Sequence, residues 1–477
     1  MKLEKHAIDA LAPNANAIKN GEALWKKKSF VALHQNPEGT VLFGECAGSG
    51  QKNYQVSADF GSGLPPVCRC NCPSRQFPCK HALGLMYAYA AATHSFEVSE
   101  LPADLTQKRQ KAEDRQKKQS EKKAEDRRKP PTKAQITKQQ KKIDQQLEGI
   151  ALAEKMLSAM LDGGLSALGT QQGANYTEQV QQLGNYYING IQAAFQDIIL
   201  QNNRQNGEPN AVRSLIYLYA LLKKSREYLT KKRQDPVNNV EWEQDLEERI
   251  GYAWKLDELI DQQKCEKNSE LIQLAFYPYP DEAARQWVEE GYYYSLQSGR
   301  LYKNRNLRPF RAATHIKEED SLFAVIQAEE VAIYPGHPNP RARWKTYTQR
   351  ELKDEDYQHI HAHARTNYAE LAKEIKNQLK SPLTDAYPVA LVRFVREQMQ
   401  QGQQHFMLAD AEGTVITLGD VPLISEPFHA GFGQVMACLP PHDLTALLLF
   451  AFDADKQLLL ARPLSIITDR QIIRLLY

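Results

Sequence analysis

Four of the seven cysteines in this 477-residue chain fall between positions 68 and 79, and a histidine follows at 81. The run reads Val67-Cys68-Arg69-Cys70-Asn71-Cys72-Pro73-Ser74-Arg75-Gln76-Phe77-Pro78-Cys79-Lys80-His81. Whatever joins these side chains constrains the local fold more than any other feature. A secreted disulfide scaffold would be short and rich in cysteine throughout, whereas Cys46, Cys265 and Cys438 are scattered. Lys2, Lys5 and Asp9 interrupt any apolar leader. The apolar stretch from Leu444 to Phe452 is about half the length needed to cross a bilayer. We therefore expect a soluble, cytoplasmic protein in a reducing compartment. There a cysteine cluster reads as a metal site rather than as disulfides.

Zinc takes four tetrahedral ligands, and thiolates with an imidazole are a standard structural set. Cys70-x-Cys72 forms one donor pair and Cys79-x-His81 the other. The residues between the pairs suffice to turn the chain back on itself. A spacing of two does not suit one face of a regular helix, but it suits a turn entering a helix, with Pro78 just ahead of the first turn. Four protein ligands leave no place for a catalytic water, so the expected zinc is single and structural. Cys68 lies two residues before Cys70 and could point the same way from an extended chain. It is either an auxiliary or substitute ligand, or a small buried side chain at a strand end.

These residues resemble the CxC…CxH pattern of the SWIM zinc finger. Cys72-Pro73-Ser74 and Pro78-Cys79-Lys80-His81 look like the bacterial branch of that family. The resemblance covers roughly residues 20–95. It implies a small β-then-α module holding one zinc through Cys70, Cys72, Cys79 and His81. It also implies binding to DNA or to proteins, since such modules occur in helicase-like remodelling ATPases, Mutator-type transposases and kinase regulators. Bacterial members are further associated with MoxR-like ATPases and von Willebrand A-type proteins.

Along the chain, the segments Phe30 to His34, Val41 to Phe43 and Asn53 to Asp59 read as short strands, the first two flanking the turn at Asn36-Pro37-Glu38-Gly39. His81 to Thr93 reads as a helix with Leu83, Met86, Tyr87 and Ala90 on one face. Residues 106–142 hold 15 Lys and Arg against 5 Asp and Glu and almost no apolar residues, which predicts a basic linker. Residues 143–268 return to helical periodicity. Residues 270–477 mix helix and strand, with hairpins over 404–418 and 444–461 and a long charged helix from Thr348 to Leu379. The fold class is α+β and multidomain, in four parts: the zinc module (20–95), the basic linker (106–142), a helical region (143–268) and a mixed α/β region (270–477).

The formal net charge of +2 hides this segregation, because the residues after 142 hold 35 Lys and Arg against 44 Asp and Glu. The linker's charge suits either salt-sensitive attraction to nucleic acid or a solvated spacer, and Arg69, Arg75 and Lys80 in the metal loop are candidate phosphate or partner contacts. The acidic remainder argues against wide wrapping of DNA and suits either the basic segment folding back or the docking of a basic partner. His359-x-His361-x-His363 reads as exposed histidines on a polar helix. Tyr277, Tyr279 and Tyr292-Tyr293-Tyr294 read as residues packed within a sheet. No nucleophile elbow, HExxH or paired catalytic carboxylates are recognisable, so we expect a non-enzymatic adaptor. An unrecognised enzyme in 270–477 is the alternative.

Overall fold

The computed structural model describes residues 3, 5–9, 11–48, 52–61, 66–74, 77–111, 114, 132–165, 171–202, 208–234, 244–282, 284–312, 321–399, 406–425, 427–428, 432–439, 444–453 and 456–476. The chain divides into two compact units, Met1–Lys129 and Pro130–Tyr477.

The first unit contains helices α1 (Lys5–Asp9), α2 (Ala15–Lys26) and α3 (Lys80–Ala91), and strands β1 (Phe30–Gln35), β2 (Val41–Cys46), β3 (Tyr54–Asp59), β4 (Val67–Cys70) and β5 (Glu97–Val98). The sheet order is β4-β3-β2-β1-β5. Strands β1 to β4 form an antiparallel meander, and β5 pairs parallel to β1. The β1–β2 turn is organised by Asn36, whose Oδ1 accepts from the backbone N–H groups of Thr40 and Val41. Gly39 supplies the positive φ that this turn needs.

Helix α3 departs from the expected one-sided stripe. Every residue from His81 to Tyr89 is buried, while Ala90, expected on the inner face, is exposed. The helix is covered by the sheet and also by α1 and α2, so apolar residues are needed on all sides. Leu3, Ile8 and Ala17 belong to the same core, which therefore draws in residues ahead of position 20. Helices α2 and α3 cross closely at Gly21, where a Cβ would lie 2.9 Å from Leu83 Cβ.

The basic stretch is partly structured. Residues 103–111 are helical, and the Arg109 guanidinium lies 3.6 Å from the Asp59 carboxylate of β3. Residues 112–113 and 115–131 lie outside the described residues. The stretch also ends earlier than expected, because a long helix begins at Lys133 and runs to Gly163. Thr132 starts it through a capping box with Gln135.

The second unit begins with helices Lys133–Gly163, Gln171–Gln182, Asn189–Asn202, Glu208–Gln234, Gln244–Ile250 and Leu256–Asp261. The first five share a core that includes Ile150, Leu157, Phe195, Ile198 and Leu222, while Leu259 of the sixth packs with Trp254 and Ala332. One antiparallel sheet follows, ordered β10-β9-β6-β7-β8, with β6 (Cys265–Asp281), β7 (Gln286–Ser295), β8 (Leu301–Pro309), β9 (Val325–Ile333) and β10 (Ala342–Arg343). Strand β11 (Tyr347–Arg350) pairs with β9. A second sheet is ordered β12-β16-β17-β15-β14-β13, with β12 (Val389–Phe394), β13 (Arg396–Met399), β14 (Phe406–Ala409), β15 (Val415–Leu418), β16 (Leu444–Asp453) and β17 (Leu458–Ile467). Strand β18 (Ile472–Arg474) pairs with β17.

Ile272 and Tyr292 of the first sheet share one core with Leu391 and Leu447 of the second. Strand β16 is the apolar run Leu444 to Phe452, buried nearly throughout because it sits inside a sheet covered on both faces. Tyr277, Tyr292, Tyr293 and Tyr294 are buried, as their density suggested, whereas Tyr279 is half-buried.

Two expectations are corrected. The charged segment 348–379 is a strand and two helices, Asp354–His363 and Tyr368–Leu379, rather than one helix. The break falls where the Arg365 backbone bonds to Leu391 and Arg393 of β12, and Asn367 then caps the second helix. The three histidines are not uniformly exposed. His361 is buried with Nδ1 2.7 Å from Thr445 Oγ1, and His359 is half-buried and stacked on His363 at 4.3 Å between ring centroids. Tertiary packing of that helix against β16 and β7 gives its polar sequence a buried side.

Candidate metal centre

The expected ligands converge. The Sγ atoms of Cys70, Cys72 and Cys79 and a ring nitrogen of His81 all lie within 4.8 Å of one another. Cys70 ends β4, Cys72 follows in the loop, and Cys79 occupies the N-cap position of α3 with an extended backbone. His81 is the second residue of the helix. The strand-to-helix corner thus brings both pairs together, as their spacing predicted.

Distances support a common ion. His81 Nδ1 is 3.8 Å from Cys70 Sγ and 3.9 Å from Cys79 Sγ. Metal bonds of about 2.3 Å to sulfur and about 2.0–2.1 Å to nitrogen place the corners of a tetrahedron about 3.6–3.8 Å apart. The site's chemistry agrees. A hydrogen bond from the Cys70 thiol holds Cys79 far below the usual thiol range; His81 and the backbone N–H of Ala82 act in the same direction, against burial. That bond and burial push Cys70 upward. At Cys79 the surroundings therefore already favour thiolate, the form that zinc binds. The set fits one structural zinc and, with all four corners supplied by protein, leaves no open coordination position.

Cys68 resolves as the small buried side chain. It is 3% exposed, sits in the module's core opposite Ala58, and is absent from the converging set. Burial pushes its thiol up to about 12. Tyr54, not singled out as a site residue by the sequence, packs its ring against His81 at 4.8 Å between centroids, tilted by 42°, and helps fix the imidazole. Its signal was its place at the start of β3, opposite Cys46 in register.

The candidate contact residues diverge. Arg69 points to the buried Asp59, with a guanidinium nitrogen 4.0 Å from the carboxylate. Lys80 is exposed at the first position of α3. Arg75 lies outside the described residues. Phe77, in the same loop, is 65% exposed.

Comparison with known families agrees with this geometry: residues 54–90 match the SWIM zinc finger. The match runs from the start of β3 to near the end of α3 and contains all four ligands. No curated protein and no solved structure matches the chain. Among the described residues no helix is long and apolar enough to cross a membrane.

Proposed function

We propose that the zinc module is a non-enzymatic docking module for a protein partner, with the zinc acting as a staple. The closed donor set carries this reading, since Cys70, Cys72, Cys79 and His81 leave no position for a reacting water or substrate. The surface beside the metal favours protein over a phosphate chain. Phe77 and Val67 are exposed apolar side chains flanking the site, and Arg69 is already engaged by Asp59. A cleft of about 470 Å³ on the sheet is lined by both acids and bases, among them Glu45, Arg69, Glu100 and Lys108. Mixed charge suits a peptide better than nucleic acid. MoxR-like ATPases and von Willebrand A-type proteins are the partner class that the family resemblance implies. The acidic second unit adds a further docking surface.

Nucleic acid is the second reading, and the +10 charge of residues 106–142 is the feature that favours it. One triad-like arrangement in the second unit does not favour the enzyme alternative. There Thr445, His361 and Asp469 line up like a nucleophile, base and acid, with His361 Nε2 3.6 Å from the Asp469 carboxylate. Thr445 is fully buried, so its hydroxyl is closed to any substrate.

Affinity capture of the intact protein, with and without nuclease, tests the reading. A partner that is retained after nuclease and lost from a Phe77→Asp variant of normal zinc content supports protein docking. Capture that vanishes with nuclease overturns it in favour of nucleic acid. The second reading also predicts a gel shift with a steep salt slope that disappears when residues 106–142 are deleted.

A further inference from the structure

The helix Lys133–Gly163 starts with a face that its own core does not use, since its buried residues begin at Ile143. On that face Lys138, Lys141 and Lys142 line a cavity of about 730 Å³ together with Tyr187, Tyr252 and Trp254. Small-ligand sites commonly span ~300–1,000 Å³. Lys138 stands three and four residues from Lys141 and Lys142, a spacing at which like charges repel and weaken a helix. None of the three has an acidic partner among the described residues. The acids in the wall are already occupied. Glu247 pairs with Lys232 and accepts the Tyr228 hydroxyl, while Glu258 accepts the Tyr252 hydroxyl at 2.7 and 2.9 Å. The charge left over is positive.

A separate observation points the same way. Trp254 is 8% exposed, and its indole N–H has no acceptor among the described residues. The N–H is closed to solvent, so a ligand acceptor reaches it only as the wall opens around a bound ligand, and pairing would then offset the cost of the unpaired donor. The wall also offers flat surface: Tyr252 packs edge-on to Trp254, and Lys142 Nζ lies 5.6 Å from the ring centroids of both Tyr187 and Tyr252.

We infer that this cavity is a nucleotide site, with a base against the aromatic wall, a phosphate on the Lys138/Lys141/Lys142 face, and a ligand acceptor on the Trp254 indole N–H. The sign of the charge decides against the alternative guest of an aromatic wall, a quaternary or methylated ammonium, because three lysines without acidic partners among the described residues line the same cavity. Phosphate alone would leave the rings unused. The same chemistry is presented by a free nucleotide and by the phosphorylated end of a single strand. The inference rests on the second unit and is independent of what docks on the zinc module.

Calorimetric titration of the intact protein tests it, with adenosine monophosphate, a 5′-phosphorylated oligothymidylate, inorganic phosphate and adenosine as separate probes at low salt. The nucleotide should bind saturably at one site, and phosphate and adenosine each at least about tenfold more weakly. The double substitution Lys141→Gln/Lys142→Gln, at two exposed positions, should weaken nucleotide binding about tenfold with the melting curve unchanged. Trp254→Phe keeps a ring and should weaken it several-fold. Equal binding of mononucleotide and oligomer identifies the free nucleotide as the ligand, and binding of the oligomer alone identifies a strand end. The inference is overturned if neither binds, if phosphate binds as well as the nucleotide, or if the lysine variant binds unchanged.

Discussion

Cys68 and Cys70 differ by two positions on one strand, yet one is core and the other ligand. The different fates predict different losses. His81→Ala or Cys79→Ser should abolish stoichiometric zinc, measured by elemental analysis. Cys68→Ser should keep it, at a cost of about 1–3 kcal/mol in stability from a hydroxyl buried where a thiol was. His359 gives a pH test in the second unit. Burial, and then the neighbouring His363, lower its pKa from 6.5. The folded state thus prefers neutral imidazole, so this contribution to stability is complete above pH 6.5 and is lost as pH falls through the lower folded value. An NMR titration should place the His359 midpoint below 6.5, and a midpoint above it would refute the assigned burial.

At the scale of elements, the α2–α3 crossing is a tight constraint on the zinc module. Replacing Gly21 by alanine improves helix propensity by about 1 kcal/mol. The added methyl, however, meets Leu83 Cβ at 2.9 Å, and overpacking typically costs about 1–3 kcal/mol. The clash should win, so Gly21→Ala should lower the denaturation midpoint of the first unit; a raised midpoint would show that the crossing can relax. The start of the long helix offers a contrasting case. Thr132→Ala removes an exposed capping box and should cost about 1 kcal/mol, with no effect on zinc.

At the scale of the whole molecule, the metal and the two units should separate on heating. Ligand convergence draws β4, the loop and α3 together, so zinc binding and folding of the first unit are coupled. The second unit builds its cores from helices and two sheets that contain none of the ligands. Calorimetry after treatment with a strong chelator should therefore lose the transition of Met1–Lys129 and keep that of Pro130–Tyr477. A single transition abolished by the chelator would contradict this division. The charge segregation has a partial answer at this scale. Arg109 of the basic stretch turns inward to Asp59 of its own unit, and Lys138, Lys141 and Lys142 gather at a cavity in the other.

The zinc ligands were determined by sequence alone, because a metal's donor types and their spacing are local and demand few arrangements. The strands of the first unit and the change of texture after residue 270 were legible for the same reason, since turn residues and apolar periodicity act over a few positions. Tertiary structure decided the rest. Cys68 became core because β4 turned that face toward α3. The histidines of Asp354–His363 acquired a buried side because two sheets closed around the helix. The aromatic and basic cavity joins residues between 135 and 262, and no periodicity links them. Contacts between residues far apart in the chain depend on packing whole elements together, and that packing leaves no local mark in the sequence.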